Sequence, residues 1–151
     1  AFEPPDTSSD AFFGPLEARL AQARAGAGPR YALADGDCLW QRMFYLHGYR
    51  ATLEDLLVEP ERCAQLRDMI TAVMVRRVER LCRLEALDGI HFRDDWGTQQ
   101  APMIRPQLWR AFFKPAYARL FALARDANKH VWFHSDGAIP PCRRSPSSRH
   151  R

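Results

Sequence analysis

Three short apolar segments, each ending in an aspartate close to a glycine, constrain the fold of this chain most strongly. LDGIHFRDDWGTQQ at residues 87–100 passes from an apolar run into two carboxylates, a tryptophan and a glycine. HVWF at 130–133 ends in HSDG, and YALA at 31–34 ends in DGD. Sequence with helical spacing separates these segments. The pattern predicts parallel strands that alternate with helices, with the polar groups of an enzyme site at their carboxyl ends.

Helices are predicted in the intervals between the three segments. Apolar residues at helical spacing predict helices at 15–25, at 39–47, at 60–86 and from Pro106 onward. Thr52 is expected to cap a further short helix, because a threonine hydroxyl accepts from N–H groups of the first turn. Pro115 is expected to kink the last helix or split it in two, since proline lacks an N–H and crowds the preceding turn.

The basic charge of the chain is concentrated near its end, which argues against binding to nucleic acid. Arg143, Arg144, Arg149 and Arg151 lie in a tail without acidic residues. Without these four arginines, the 22 basic residues fall to 18, equal to the 18 acidic residues. Because nucleic-acid binding requires a basic surface on the folded domain, we expect no nucleic-acid partner.

The apolar pattern and the cysteines predict the compartment. No run approaches the roughly 18 consecutive apolar residues of a membrane span, and the start of the chain lacks the features of a signal peptide. We therefore expect a cytoplasmic protein with no membrane partner. Cys38, Cys63, Cys82 and Cys142 form no C-x-x-C pair. We expect them to be small buried thiols, not a disulfide framework or a zinc ribbon.

The polar residues after the second and third apolar segments form the candidate site. Carboxyl ends of neighbouring parallel strands converge, so Asp94 or Asp95 is expected within one or two strand spacings of about 4.8 Å from His134. One carboxylate would act in the pocket as acid, base or anchor for a cationic or N–H-rich substrate, while the other caps a helix. The alternative is that both only cap helices or pair with arginine.

We assign roles to the residues of this candidate site. Catalysis is assigned to Asp95 and His134. Substrate contact is assigned to Asp94, Trp96, Gln99, Gln100 and Ser135. Trp96, Gln99 and Gln100 offer the apolar and amide surface typical of small-ligand pockets, and the alternative is that these three are ordinary loop residues. His134 and Asp136 are also candidate metal ligands, because nitrogen and oxygen ligands suit zinc or another first-row ion. The alternative is a histidine hydrogen-bonded to a neighbouring loop.

Four segments in this order resemble the uroporphyrinogen decarboxylase superfamily. They are DGI at 88–90, DDWGTQ at 94–99, RPQLWR through FKP at 105–115 and HSDG at 134–137. The similarity extends over residues 13–139. It implies a (β/α)8 barrel, also called a TIM barrel, with its site at the carboxyl ends of the strands. It further implies an incomplete chain, because such barrels need roughly 250 residues.

Two branches of the superfamily imply different chemistry at this site. The decarboxylase branch works without metal or cofactor and holds a tetrapyrrole with an early arginine-rich segment, not visible here, and an aspartate. The methyltransferase branch has His-x-Cys-Gly, in which His and Cys bind zinc, and works with a corrinoid protein. His134 matches that histidine, whereas Asp136 stands where the cysteine would be.

The sequence thus predicts three regions and one leading function. Residues 1–12 are expected to be irregular, residues 13–139 to form a partial uroporphyrinogen decarboxylase-like barrel, and residues 140–151 to be a disordered basic tail. The leading function is decarboxylation of a porphyrinogen or related carboxylated substrate. The alternatives are metal-dependent methyl transfer with a corrinoid protein, and an inactive truncated product that persists by associating with another chain.

Overall fold

The computed structural model describes residues 6–139, with the exception of residues 8, 27 and 29. Within these ranges it has six helices and three strands: α1 Asp10–Ala25, β1 Leu33–Asp37, α2 Trp40–His47, α3 Tyr49–Val58, α4 Pro60–Cys82, β2 Gly89–Arg93, α5 Pro106–Phe112, α6 Lys114–Asp126 and β3 His130–His134. None of these helices has the length and apolar character needed to span a bilayer. The tail at 140–151, with Cys142, lies outside the described residues, as do residues 1–5.

The three strands form one parallel sheet in the order β1-β2-β3. Ala34 pairs with Ile90, and Ile90 pairs with Val131. Helices α2 to α4 connect β1 to β2, and α5 and α6 connect β2 to β3. The predicted alternation of parallel strands with helices is therefore confirmed, and all three carboxyl ends lie at the same edge of the sheet.

The two faces of the sheet differ in character. On one face Ile90 and Phe92 are fully buried, and the Phe92 ring lies 5.1 Å from Phe121 of α6. On the other face His91 and Arg93 are only partly buried, and Trp132, which pairs with His91, is 53% exposed. The helices thus cover the first face, while the second face carries polar and aromatic side chains in the open.

An aromatic cluster holds the sheet and the helices together. The Trp40 ring of α2 stacks on Trp96, which follows β2, at a centroid distance of 5.1 Å. Phe113 lies 5.4 Å from Trp40 and 4.8 Å from Trp96. Phe113 also separates α5 from α6, and Pro115 lies in the first turn of α6. The predicted split at Pro115 is therefore confirmed, because proline fits the start of a helix and not its interior.

Several predicted boundaries are wrong. Thr52 does not cap a helix: α3 begins at Tyr49, and the Thr52 hydroxyl donates to the Gly48 carbonyl at 2.8 Å inside it. Gly48 has φ +94°, which lets α3 follow α2 with almost no connection. α4 ends at Cys82, four residues before the predicted end, and α1 begins at Asp10 within the segment predicted to be irregular.

β1 also differs from its predicted position. It begins at Leu33, two residues later than predicted, and includes the DGD sequence that was expected to follow it. Gly36 makes this extension favourable, because a Cβ there would lie 2.7 Å from side-chain atoms of both Ile90 and Phe92. The glycine lets two large side chains of β2 pack over β1.

Candidate functional site

The carboxyl ends of β2 and β3 are joined by backbone hydrogen bonds beyond the sheet itself. The Asp94 N–H donates to the His134 carbonyl at 3.0 Å, and the Gly97 N–H donates to the Asp136 carbonyl at 3.2 Å. Side chains that follow the two strands are therefore fixed relative to each other, although about forty residues separate them in the sequence.

Two glycines allow this close approach. A Cβ at Gly97 would lie 2.5 Å from backbone atoms of Gly137 and Ala138. Gly137 has φ +82°, a conformation that residues with a Cβ rarely adopt. The glycines of the DDWG and HSDG sequences therefore bring the two strand ends into contact.

Three polar side chains meet at this junction. His134 Nε2 lies 3.2 Å from Asp136 Oδ1 and 3.9 Å from Asp95 Oδ1. One ligand atom of each residue lies within 4.8 Å of those of the other two. Asp95 is half-buried, whereas His134 and Asp136 are exposed. The structure thus brings together the two residues predicted to be catalytic and both predicted metal ligands.

Asp95 is oriented by two further hydrogen bonds. The Gln41 amide of α2 donates to Asp95 Oδ2 at 3.0 Å, and the Asp136 backbone N–H donates to Asp95 Oδ1 at 3.1 Å. Each carboxylate oxygen has a second lone pair for another donor or a cation. Gln41 has no signal in the sequence, because its contact with Asp95 depends on how α2 packs against the end of β2.

Asp94 has a different environment from its neighbour. Its buried carboxylate accepts the N–H groups of Leu39, Trp40 and Gln41 at 2.7, 2.9 and 2.8 Å, and it also accepts the hydroxyl of Tyr117. Burial raises the pKa of Asp94 to about 6, although these hydrogen bonds act to lower it. The carboxylate that the sequence assigned to substrate contact instead caps α2, because its oxygens point into the protein.

The other residues predicted to contact substrate lie in three different settings. Trp96 is buried in the aromatic cluster and does not form an open wall. Its backbone N–H donates to Ser135 Oγ at 3.0 Å, so Ser135 helps to join the two strand ends. Gln99 and Gln100 are exposed in the turn after Gly97. Of this set, Gln99 and Gln100 present their side chains to solvent.

The side chains at the strand ends offer two kinds of chemistry, proton transfer and metal binding. Comparison of the chain with models of protein families, with curated proteins and with solved structures finds no match. An imidazole beside two carboxylates can accept and donate a proton. The same three groups offer one nitrogen and two oxygen ligands to a divalent metal ion, with coordination positions left for substrate or water.

An ion pair on the open face of the sheet was not predicted. Arg93 of β2 pairs with the Asp35 carboxylate of β1. Partial burial acts to raise the pKa of Asp35, but hydrogen bonds from Arg93 and from the Asp37 N–H lower it overall. The His91 ring on the same face lies 6.3 Å from the His134 ring. This face therefore continues the polar surface of the strand ends along β1 and β2.

Proposed function

We propose that the chain is part of a (β/α)8-barrel enzyme of the uroporphyrinogen decarboxylase type, which acts on a tetrapyrrole or a smaller carboxylated substrate. The observation that carries this proposal is the convergence of Asp95 and His134 at the ends of two adjacent parallel strands. Enzymes with this barrel have their reacting groups in that position.

The uncovered face of the sheet supports a barrel. Parallel sheets are normally covered on both faces or closed on themselves. Here Trp132 is 53% exposed, and His91 and Arg93 on the same face are only partly buried. A closed barrel would enclose this face of the sheet. Many barrels are filled by layers of branched apolar side chains, whereas the polar side chains of this face would line a cleft.

The proposed reaction uses the strand-end residues without a cofactor. The bond between a substrate carbon and its carboxylate breaks, carbon dioxide leaves, and the electron pair left on carbon takes up a proton. His134 supplies this proton, and Asp136, 3.2 Å from its Nε2, holds the imidazole in position. Asp95, oriented by Gln41, accepts a hydrogen bond from an N–H group of the substrate.

The test measures turnover of a porphyrinogen by the protein encoded by the complete reading frame. We expect Asp95→Asn and His134→Ala to lower the release of labelled carbon dioxide about 100-fold or more, because each removes a group that contacts the reacting substrate. Asp126→Asn, at the end of α6, and His130→Ala, at the amino end of β3, are matched controls that should keep wild-type turnover. Normal turnover in either site variant would exclude this assignment.

A second candidate function is metal-dependent methyl transfer with a corrinoid protein. The observation that favours it is the mutual distance of at most 4.8 Å between ligand atoms of Asp95, His134 and Asp136. Zinc held there would activate a thiol acceptor. The donor set fits a divalent first-row ion, although it has a carboxylate where the methyltransferase branch has a thiolate.

Metal binding separates the two candidates. Under the second candidate, the metal-stripped protein binds Zn²⁺ at one site per chain, and His134→Ala or Asp136→Asn weakens binding at least about tenfold, since each removes a ligand. Titration against a chromophoric chelator measures this, with His130→Ala as the control. Full turnover of a porphyrinogen by metal-stripped protein would exclude the second candidate and favour the first.

A further inference from the structure

A cavity between α1, β1 and α4 forms a second concave surface, away from the strand-end residues. Its volume is about 410 Å³, and its walls are mainly apolar: Phe12, Leu16, Leu20, Leu33 and Leu81. Phe12 is 47% exposed and Leu33 is 44% exposed. The fold therefore leaves large apolar side chains uncovered in a concave site whose size is typical of pockets for small ligands.

Two arginines give this cavity a positive charge. Arg19 of α1 and Arg77 of α4 line it together with Asp35. The Asp35 carboxylate is paired with Arg93. Arg77 donates from Nε to the Asp35 carbonyl at 2.9 Å, and its guanidinium carbon lies 5.1 Å from the centre of the Phe12 ring. Within the described part of the chain, Arg19 makes no ion pair. Guanidinium N–H groups thus remain available to an anion beside the apolar walls.

We propose that this cavity binds a small apolar molecule that carries one carboxylate group. The apolar body covers Phe12, Leu16 and Leu33, and removal of this surface from water favours binding. The carboxylate accepts hydrogen bonds from Arg19 and Arg77, since guanidinium groups match the geometry of carboxylate oxygens. This cavity site is independent of the proposed reaction, because none of the residues assigned to the reaction belongs to α1, β1 or α4.

Calorimetric titration of the protein encoded by the complete reading frame with three ligands of equal chain length tests the proposal. Octanoate carries a carboxylate, octylamine a positive charge and 1-octanol no charge. We expect octanoate to bind one site per chain, about fivefold or more tighter than either of the others. Arg19→Gln and Arg77→Gln should each weaken octanoate binding by up to about fivefold and leave octanol binding unchanged. Arg83→Gln, on an exposed arginine outside the cavity, is the matched control.

A cavity-filling variant locates the site. Leu16→Trp should abolish octanoate binding, because the larger ring occupies the volume that the apolar chain needs. The two arginine variants keep the test decisive if Leu16→Trp fails to fold, since they change exposed or partly exposed side chains. Equal affinity for the three ligands, unchanged octanoate binding in both arginine variants, or an equal loss in Arg83→Gln would each overturn the proposal.

Discussion

Replacing Asp94 by alanine should lower the free energy of unfolding by at least about 4 kcal/mol at pH 7. The change leaves three N–H groups at the start of α2 and the Tyr117 hydroxyl without their acceptor, and each unsatisfied buried donor costs about 1–3 kcal/mol. Urea unfolding measures the loss. Asp95→Ala is the matched control one residue away: its carboxylate is half-buried, and its loss should cost no more than about 1.5 kcal/mol.

The stabilising effect of Asp94 should also depend on pH. Its pKa is raised to about 6 in the folded protein from 3.8, so the folded protein retains a proton that the unfolded chain releases. The stability from this proton is fully present below about pH 4 and is lost as the pH rises through 6. The difference in unfolding free energy between wild type and Asp94→Asn should therefore fall by about 2.5 kcal/mol from pH 4 to 7.5. If the difference in unfolding free energy between the two proteins did not change with pH, the buried environment of the Asp94 carboxyl group would be contradicted.

Gly97→Ala should have the next largest effect, about 3 kcal/mol of lost stability. Its Cβ would lie 2.5 Å from backbone atoms of Gly137 and Ala138, and backbone cannot move aside as a flexible side chain can. The ends of β2 and β3 must separate, which moves Asp95 away from His134. We therefore expect the variant to lose the activity or metal affinity of the strand ends along with stability.

Gly26→Ala is the matched control for this prediction. Gly26 follows α1 with φ −75° and ψ 169°, an extended conformation that any residue adopts, and a Cβ there would lie 3.6 Å from the Ala23 carbonyl oxygen, an ordinary contact distance. Alanine at such a position leaves the unfolded chain less freedom, so this variant should be as stable as wild type or up to about 1 kcal/mol more stable. Thermal unfolding of both variants, read by circular dichroism, distinguishes a local collision at Gly97 from a general intolerance of alanine. Equal stability of the two variants would exclude the collision.

Much of the fold could be predicted because its signals are local. The bounds of β3 at His130 and His134 follow from a short apolar run between Asn128-Lys129 and the HSDG sequence. The break at Pro115 follows from the missing N–H of one residue. Boundaries were wrong where distant packing decides them, as at β1, where Gly36 lies under Ile90 and Phe92 of another strand.

The candidate site was predictable in outline because parallel strands bring their carboxyl ends to one edge. That rule placed one of the two adjacent aspartates, Asp94 or Asp95, near His134 and Asp136. The rule could not decide which of the two adjacent aspartates turns inward. Successive side chains leave a strand in opposite directions, and the packing of α2 sets which direction is buried.

The sequence by itself determined the order of strands and helices and the set of polar residues at the strand ends, since both depend on apolar periodicity and on glycine and proline. Only the tertiary structure decided that Asp94 caps α2, that Gln41 orients Asp95 and that Trp96 is in the core. These contacts join residues more than fifty positions apart. Such pairs are brought together by helix packing against the sheet, which leaves no local pattern in the chain.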